Sequence, residues 1–79
     1  MDDSQAPGFV FIPALVALLN RAEQVAARPL TEAEVLRIRE AAVVVPLPMA
    51  AVAQLVAERG YFDLTADNAW AEWQAFRSA

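Results

Sequence analysis

The stretch Leu30–Pro48, LTEAEVLRIREAAVVVPLP, contains the two strongest local signals in the chain, and the assignment of fold class depends on it. Its first half has the pattern of a capping box, which begins a helix. The Thr31 hydroxyl accepts a hydrogen bond from the Glu34 N–H, and the Glu34 carboxylate accepts one from the Thr31 N–H. We therefore predict a helix over 31–42, and its inner stripe consists of Val35, Ile38 and Ala42.

The second half of this stretch, VVVPLP at 43–48, cannot continue a regular helix. Pro46 and Pro48 restrict the residues before them to extended conformations, and three consecutive valines favour a pleated surface. We interpret 43–48 as a buried, extended Val/Pro linker. The alternative is a lone edge strand that is used for dimerisation.

Upstream of this stretch, the sequence predicts a flexible N-terminal arm and one further helix. Residues 1–8 are mostly small and polar and end in a Pro-Gly pair, so we expect an arm over 1–8 and a single helical domain over 9–79. Pro13 restricts the residue before it to an extended conformation and suits the first turn of a helix. Apolar residues then recur at three- and four-residue steps until Pro29 ends the pattern, which predicts a helix over 13–27.

Downstream, two more short helices are expected. Pro48 can occupy the first turn of a helix over 48–59, and Gly60 is expected in the left-handed conformation that ends it. A fourth helix over 65–77 would begin near Thr65, whose hydroxyl could cap it. Four short helices with short connections predict an all-α fold, a small bundle of about four helices.

The apolar content is high for a chain of 79 residues. Apolar side chains make up 58% of the sequence, but 18 of the residues are alanines, which favour helices and bury little area. A domain this short buries about 60–65% of its unfolded surface, so part of the apolar remainder stays exposed. The unexplained surplus lies in Phe9–Ile12, in Val43–Val45 and in the tryptophan-rich last helix. These are the surfaces where a second chain should be sought.

The residue types present argue against an enzyme. The chain has no Cys, no His and no Lys, which excludes disulfides, thiol chemistry and the commonest metal ligand. Its only glycines are Gly8 and Gly60, so there is no phosphate-binding loop, and Asp63 and Asp67 lack the oxygen density of a calcium loop. We predict no catalytic residues, no cofactor and no metal. A net charge of −4, with six arginines spread along the chain, also argues against nucleic-acid binding.

The uncharged run Ala6–Leu19 raises the question of a membrane span or a signal peptide. It is shorter than the roughly 20 apolar residues that a span needs, and it contains two prolines. Asp2 and Asp3 stand where a signal peptide has basic residues. We therefore expect a cytoplasmic protein that does not contact a membrane.

Five of the seven aromatic residues lie between Tyr61 and Phe76. One interpretation is that Trp70, Trp73 and Phe76 are core anchors of the last helix. The other is that part of this segment contacts a partner, because Trp and Tyr are common interface anchors and an acidic rim would steer towards a basic surface. The candidate contact residues are Tyr61, Phe62, Asp63, Asp67, Trp70, Glu72 and Trp73.

Three parts of the sequence together carry a resemblance: LTEAEVLRIRE at 30–40, VPLP at 45–48, and RGYFDL at 59–64 with NAWAEWQ at 68–74. In these parts the chain resembles a group of small, uncharacterised, acidic helical proteobacterial proteins. Such proteins are similar in size and acidity to the immunity proteins of secreted bacterial toxins. The resemblance covers about residues 30–76, implies a helical fold and carries over no catalytic residue.

These observations favour a non-enzymatic protein-binding module, an immunity or inhibitor protein that neutralises a cognate bacterial toxin by direct binding. Two alternatives stay open. The first is a homo-oligomeric structural or adaptor domain, in which a homodimer covers the apolar surplus. The second is a phage-type inhibitor that acts by acidic mimicry, for which the relevant carboxylates are those of Asp63, Asp67 and Glu72.

Overall fold

A computed structural model describes residues 7–78 of the chain, without the side chain of Pro7. The elements follow in the order β1 (Pro7–Phe11), α1 (Leu15–Ala26), α2 (Glu32–Ala41), β2 (Val44–Pro48), α3 (Met49–Arg59) and α4 (Ala69–Ser78). The prediction of an all-α bundle is therefore wrong, because four helices are combined with a two-stranded antiparallel sheet and the fold is mixed α/β. Of the predicted arm, 1–6 lies outside the described residues, and Pro7 and Gly8 begin β1.

The predicted linker at 43–48 is a strand because it has a partner in the same chain. β1 and β2 pair with Val10 opposite Val45, and the Ile12 N–H extends the ladder by donating to the Val43 carbonyl at 3.1 Å. Pairing satisfies the backbone polar groups of both extended segments. The predicted burial of 43–48 is wrong as well, because no residue of β2 is buried and Val44 is 46% exposed. β2 is therefore neither a linker nor a lone strand.

Prolines cover most of the outer edge of β2. Since Ile12 and Val43 form a hydrogen-bonded pair and such pairs alternate along an antiparallel ladder, Pro46 and Pro48 stand where an N–H would point away from β1. Proline has no N–H to present there, so the outer edge of β2 offers only the N–H of Val44. This arrangement opposes pairing with a further strand.

The helix boundaries agree with local signals at some ends and differ at others. The capping box of α2 is confirmed, with Glu34 N–H donating to Thr31 Oγ1 at 3.3 Å and Thr31 N–H donating to Glu34 Oε1 at 2.9 Å. α1 begins at Leu15, so Pro13 precedes its first turn instead of occupying it, and the Ile12–Pro13 peptide is cis. α1 ends before Pro29, because Ala27 adopts a left-handed conformation.

The two remaining helices start later than predicted. α3 begins at Met49 because Pro48 belongs to β2, and Gly60 ends it with a φ of 79°, which confirms the left-handed position. α4 begins at Ala69 rather than at residue 65. The Thr65 hydroxyl does not cap Asn68; it donates to Glu72 Oε1 at 3.1 Å, and the Thr65 N–H donates to the same oxygen at 2.6 Å. Residues 60–68 are therefore a loop that Glu72 ties to α4.

The hydrophobic core lies between α1, α2, α4 and β1. Its members are Phe11, Ala14, Leu15, Val16, Leu19, Leu30, Val35, Leu64, Ala69 and Trp73. Ile38 and Ala42 pack against it, as the predicted stripe of α2 requires. In contrast, none of the residues of α3 is buried, and its apolar residues Val52, Leu55 and Val56 are only half-buried.

A close contact at Gly8 sets the distance between α3 and the sheet. A Cβ atom at this position would lie 2.9 Å from Met49 Sδ and 3.0 Å from Val52 Cγ2. Only glycine lets the strand approach the helix this closely without displacing either side chain.

Candidate protein-interaction surface

The loop after α3 carries the most exposed aromatic side chain among the described residues. Phe62 is 86% exposed. It lies at the junction of two apolar grooves and lines both of them, as does Leu64. The Phe62 ring therefore lies outside the hydrophobic core and is accessible from both grooves.

The first groove, which we call the sheet groove, has a volume of about 420 Å³. The sheet contributes Phe9 and Val44 to it, and α3 contributes Leu55 and Val56. The second, the helix groove, has a volume of about 300 Å³ and lies between α1, the loop and α4. Its lining includes Val16, Ala17, Asn20, Tyr61 and Phe76.

Four partly exposed aromatic residues line these two adjoining grooves. The exposed fractions are 70% for Phe9, 48% for Phe76 and 43% for Tyr61, with Phe62 between them. We call Phe9, Tyr61, Phe62 and Phe76 the aromatic face. Since isolated exposed apolar side chains are common but contiguous groups are not, this face is the strongest candidate for a binding surface.

Beneath the aromatic face, Asp63 acts as a cap for a distant helix. Ala14 precedes α1 and has no side-chain oxygen, so the first N–H groups of this helix need another acceptor. Asp63 supplies it: Leu15 N–H donates to Oδ2 at 2.7 Å, and Val16 N–H donates to Oδ1 at 2.9 Å. The negative charge also suits the positive end of the helix dipole.

Arg59 completes this arrangement from the last turn of α3. Its Nη2 donates to the Phe11 carbonyl at 2.8 Å, and its Nη1 lies 3.9 Å from Asp63 Oδ2. Both side chains are mostly buried. The charged pair therefore holds together β1, α3, the loop and α1, and only a small part of each side chain is exposed.

Most carboxylates of the acidic rim predicted from the sequence, Asp63, Asp67 and Glu72, form hydrogen bonds within the fold. The Asp63 carboxylate caps α1, and the Glu72 carboxylate accepts the two hydrogen bonds of Thr65. Asp67 is exposed. Two of the three acidic candidates thus have internal partners that account for their position.

The two tryptophans of α4 have different environments. Trp73 is fully buried and is the largest core side chain, so it acts as a core anchor and is inaccessible to a partner of the folded domain. Its Nε1 has no hydrogen-bond partner among the described residues. Trp70 is half-buried against the core. Phe76 stacks on Trp73, with ring centroids 5.6 Å apart, and exposes its other side.

A separate ion pair stabilises the connection between α1 and α2. Arg28 Nη1 and Nη2 donate to the two carboxylate oxygens of Glu34 at 2.8 and 2.6 Å. These hydrogen bonds, together with those from Thr31, lower the pKa of Glu34 from its ordinary 4.5 to about 2. Glu34 therefore serves in the capping box and in a bidentate ion pair at once.

Sequence reasoning found part of the aromatic face and missed the rest. Tyr61 and Phe62 were predicted contacts, and both are exposed. Phe9 and Val44 lay in segments of unexplained apolar surplus, but nothing placed them beside Phe62. The available signal was the presence of two extended, proline-flanked apolar segments, each of which needed a hydrogen-bonding partner.

No group of three or more potential metal ligands lies together within residues 7–78. In the same part of the chain, no helix is long and apolar enough to cross a membrane. No protein-family model, no curated protein and no solved structure matches the chain.

Proposed function

We propose that this chain is a non-enzymatic protein-binding module that contacts its partner through the aromatic face. The observation that carries the proposal is the position of Phe62, exposed at the junction of two apolar grooves and flanked by three further aromatic side chains. Aromatic residues in such positions are enriched at the centres of protein interfaces, where they supply most of the binding energy.

The partner that we propose is a bacterial toxin, with this chain as its cytoplasmic immunity protein. The resemblance over residues 30–76 supports this proposal, as do the small size and the net charge of −4. The internal hydrogen bonds of Asp63 and Glu72 favour an apolar mode of binding over phosphate mimicry, because these carboxylates already stabilise the fold. Inhibition would then follow from occlusion of the toxin by the bound domain.

The test uses the product of the gene adjacent to this one, since immunity proteins are encoded beside their toxins. That product is expressed in a heterologous bacterial host together with the wild-type chain, with Phe62→Ser or with Val25→Ser. Val25 is the matched control because it is also a highly exposed apolar residue, but it lines neither groove of the aromatic face. Circular dichroism of the purified variants checks that both remain folded.

We expect the wild-type chain and Val25→Ser to restore growth and to bind the product. Phe62→Ser should bind at least tenfold more weakly, since interface anchors contribute about 2 kcal/mol or more. Equal binding by Phe62→Ser and the wild type would exclude the aromatic face as the contact surface. If the wild-type chain neither restores growth nor binds the product of the adjacent gene, that product is excluded as its partner.

A further inference from the structure

We infer that a second copy of this chain covers the aromatic face when no other partner is bound. In this two-fold dimer, Phe62 of each copy inserts into the sheet groove of the other. The inference rests on the aromatic face proposed above as the binding surface, but it does not depend on the identity of the partner.

The area of the aromatic face matches what a dimer needs. An aromatic side chain has roughly 200 Å² of surface, so the four residues Phe9, Tyr61, Phe62 and Phe76 together expose about 500 Å² at their observed fractions. A stable interface buries about 800 Å² per partner, and about 65% of a homodimer interface is apolar. The face therefore supplies the apolar part of one such interface.

The shape of the face is self-complementary. Phe62 protrudes at the edge of the sheet groove, so the projecting ring and the cavity are neighbours on one surface. A two-fold axis between them brings each ring to the partner's cavity, as an isologous interface requires. The sheet groove, at about 420 Å³, has room for an aromatic side chain with its surroundings.

The charge of the face favours a second copy over a basic partner. Within residues 7–78, Arg59 and Asp63 are the only charged residues that line the sheet groove, and both are engaged with each other and with backbone groups. None of the charged residues that the structure describes lines the helix groove. Two copies that each carry a net charge of −4 can thus meet through grooves in which the described charges are already paired, whereas a basic partner would find no free carboxylate among the described lining residues.

The outer edge of β2 makes dimerisation by strand addition there unfavourable, and one acceptor of the β1 edge is already engaged. Pro46 and Pro48 remove two donors from the outer edge of β2, and the Phe11 carbonyl on the outer edge of β1 already accepts from Arg59. Association therefore proceeds through side chains of the face and leaves the two-stranded sheet unextended.

Sedimentation equilibrium of the wild-type chain, of Phe62→Ser and of Val25→Ser tests the inference, from roughly 1 µM to roughly 1 mM. We expect the wild type and Val25→Ser to form dimers with the same Kd, and Phe62→Ser to raise the Kd at least tenfold. Added salt should lower the wild-type Kd, because it screens the repulsion between two negatively charged copies. A monomer at every concentration, or an unchanged Kd in Phe62→Ser, would overturn the inference.

A second measurement locates the interface. In a mixture of isotope-labelled and unlabelled wild-type chains, filtered nuclear Overhauser spectra should show contacts between Phe62 of one copy and the methyl groups of Val44 or Val56 of the other. Intermolecular contacts confined to other residues contradict the arrangement. A strictly monomeric chain that still protects against the toxin overturns this inference alone, whereas a dimer that gives no protection overturns only the toxin proposal.

Discussion

Asp63 caps α1 from 48 residues away: its Oδ2 accepts the hydrogen bond of the Leu15 N–H at 2.7 Å. The residue at the helix start, Ala14, offers no side-chain acceptor, so this long-range contact replaces the usual local cap. The same carboxylate also accepts from the Leu64 N–H at 2.8 Å and thereby shapes the loop that presents Phe62. The stability of the core and the geometry of the aromatic face thus depend on one side chain.

Replacement of Asp63 by alanine should lower the free energy of unfolding by about 2–3 kcal/mol, because it removes a helix cap and leaves buried N–H groups without a partner. Asp63→Asn should cost less, since one oxygen acceptor remains. Urea unfolding of dilute protein measures both. The exposed Asp67 in the same loop provides the control, and Asp67→Ala should change stability by less than about 0.5 kcal/mol. Equal effects at the two positions would contradict the capping role.

Trp73→Ala should destabilise the fold by about 3–5 kcal/mol, because it removes the largest fully buried side chain and leaves a cavity. Phe76→Ala should cost about 1 kcal/mol, since Phe76 is half-exposed and mainly loses its stacking on Trp73. Thermal unfolding followed by circular dichroism compares the two variants. A Trp73→Ala variant with an unchanged melting temperature would show that this ring is not a core anchor.

Stability should decline as the pH falls from about 5 to about 2, in part because of Glu34. The pKa of Glu34 in the folded chain is about 2, below its ordinary 4.5, so the ionised carboxylate favours the folded state. This contribution is complete above pH 4.5 and is lost as the pH falls towards 2. Urea unfolding at several pH values should show a flatter profile for Glu34→Gln than for the wild type. Glu32→Gln, in the same helical turn but without the Arg28 pair, should retain the steeper profile.

Gly8→Val should lower the free energy of unfolding by about 1–3 kcal/mol, the usual cost of overpacking. The added side chain would collide with Met49 and with Val52. Val52 cannot easily move aside, because a β-branched side chain in a helix has one strongly preferred rotamer. Urea unfolding measures the loss, and a Gly8→Val, Val52→Ala double variant should recover part of it by making room. If the double variant loses as much free energy of unfolding as the two single variants together, the contact between residue 8 and Val52 is contradicted.

The features that the sequence predicted correctly depend on residues close together in the chain. The capping box of α2 joins Thr31 to Glu34, and the left-handed end of α3 needs only Gly60. Such signals act within one helical turn, so their geometry is nearly the same in any fold that contains the helix. Tyr61 and Phe62 follow Gly60 directly and are exposed, and their role as partner contacts stays a prediction.

The features that the sequence could not predict require two distant segments to meet. The pairing of β1 with β2 places Val10 opposite Val45, and neither segment specifies the other by pattern alone. Asp63 can act as a cap only because the fold places the start of α1 beside the loop over residues 60–68. Trp70, Trp73 and Phe76 recur at three-residue steps, so the periodicity of α4 places them on one side of the helix. It does not determine which of the three side chains faces the core.

The sequence by itself thus determined the approximate positions of four helices, the cap of α2 and the excess of apolar side chains, because local hydrogen bonding and helical periodicity act over a few residues. Only the tertiary structure decided that the Val/Pro segment is a strand, that Asp63 is a cap and Trp73 a core anchor, and that Phe9 lies with Phe62 on one face. These outcomes depend on which distant segments pack together. Their free energy comes from shared burial and from pairing of backbone groups across the fold, and no single segment contains it.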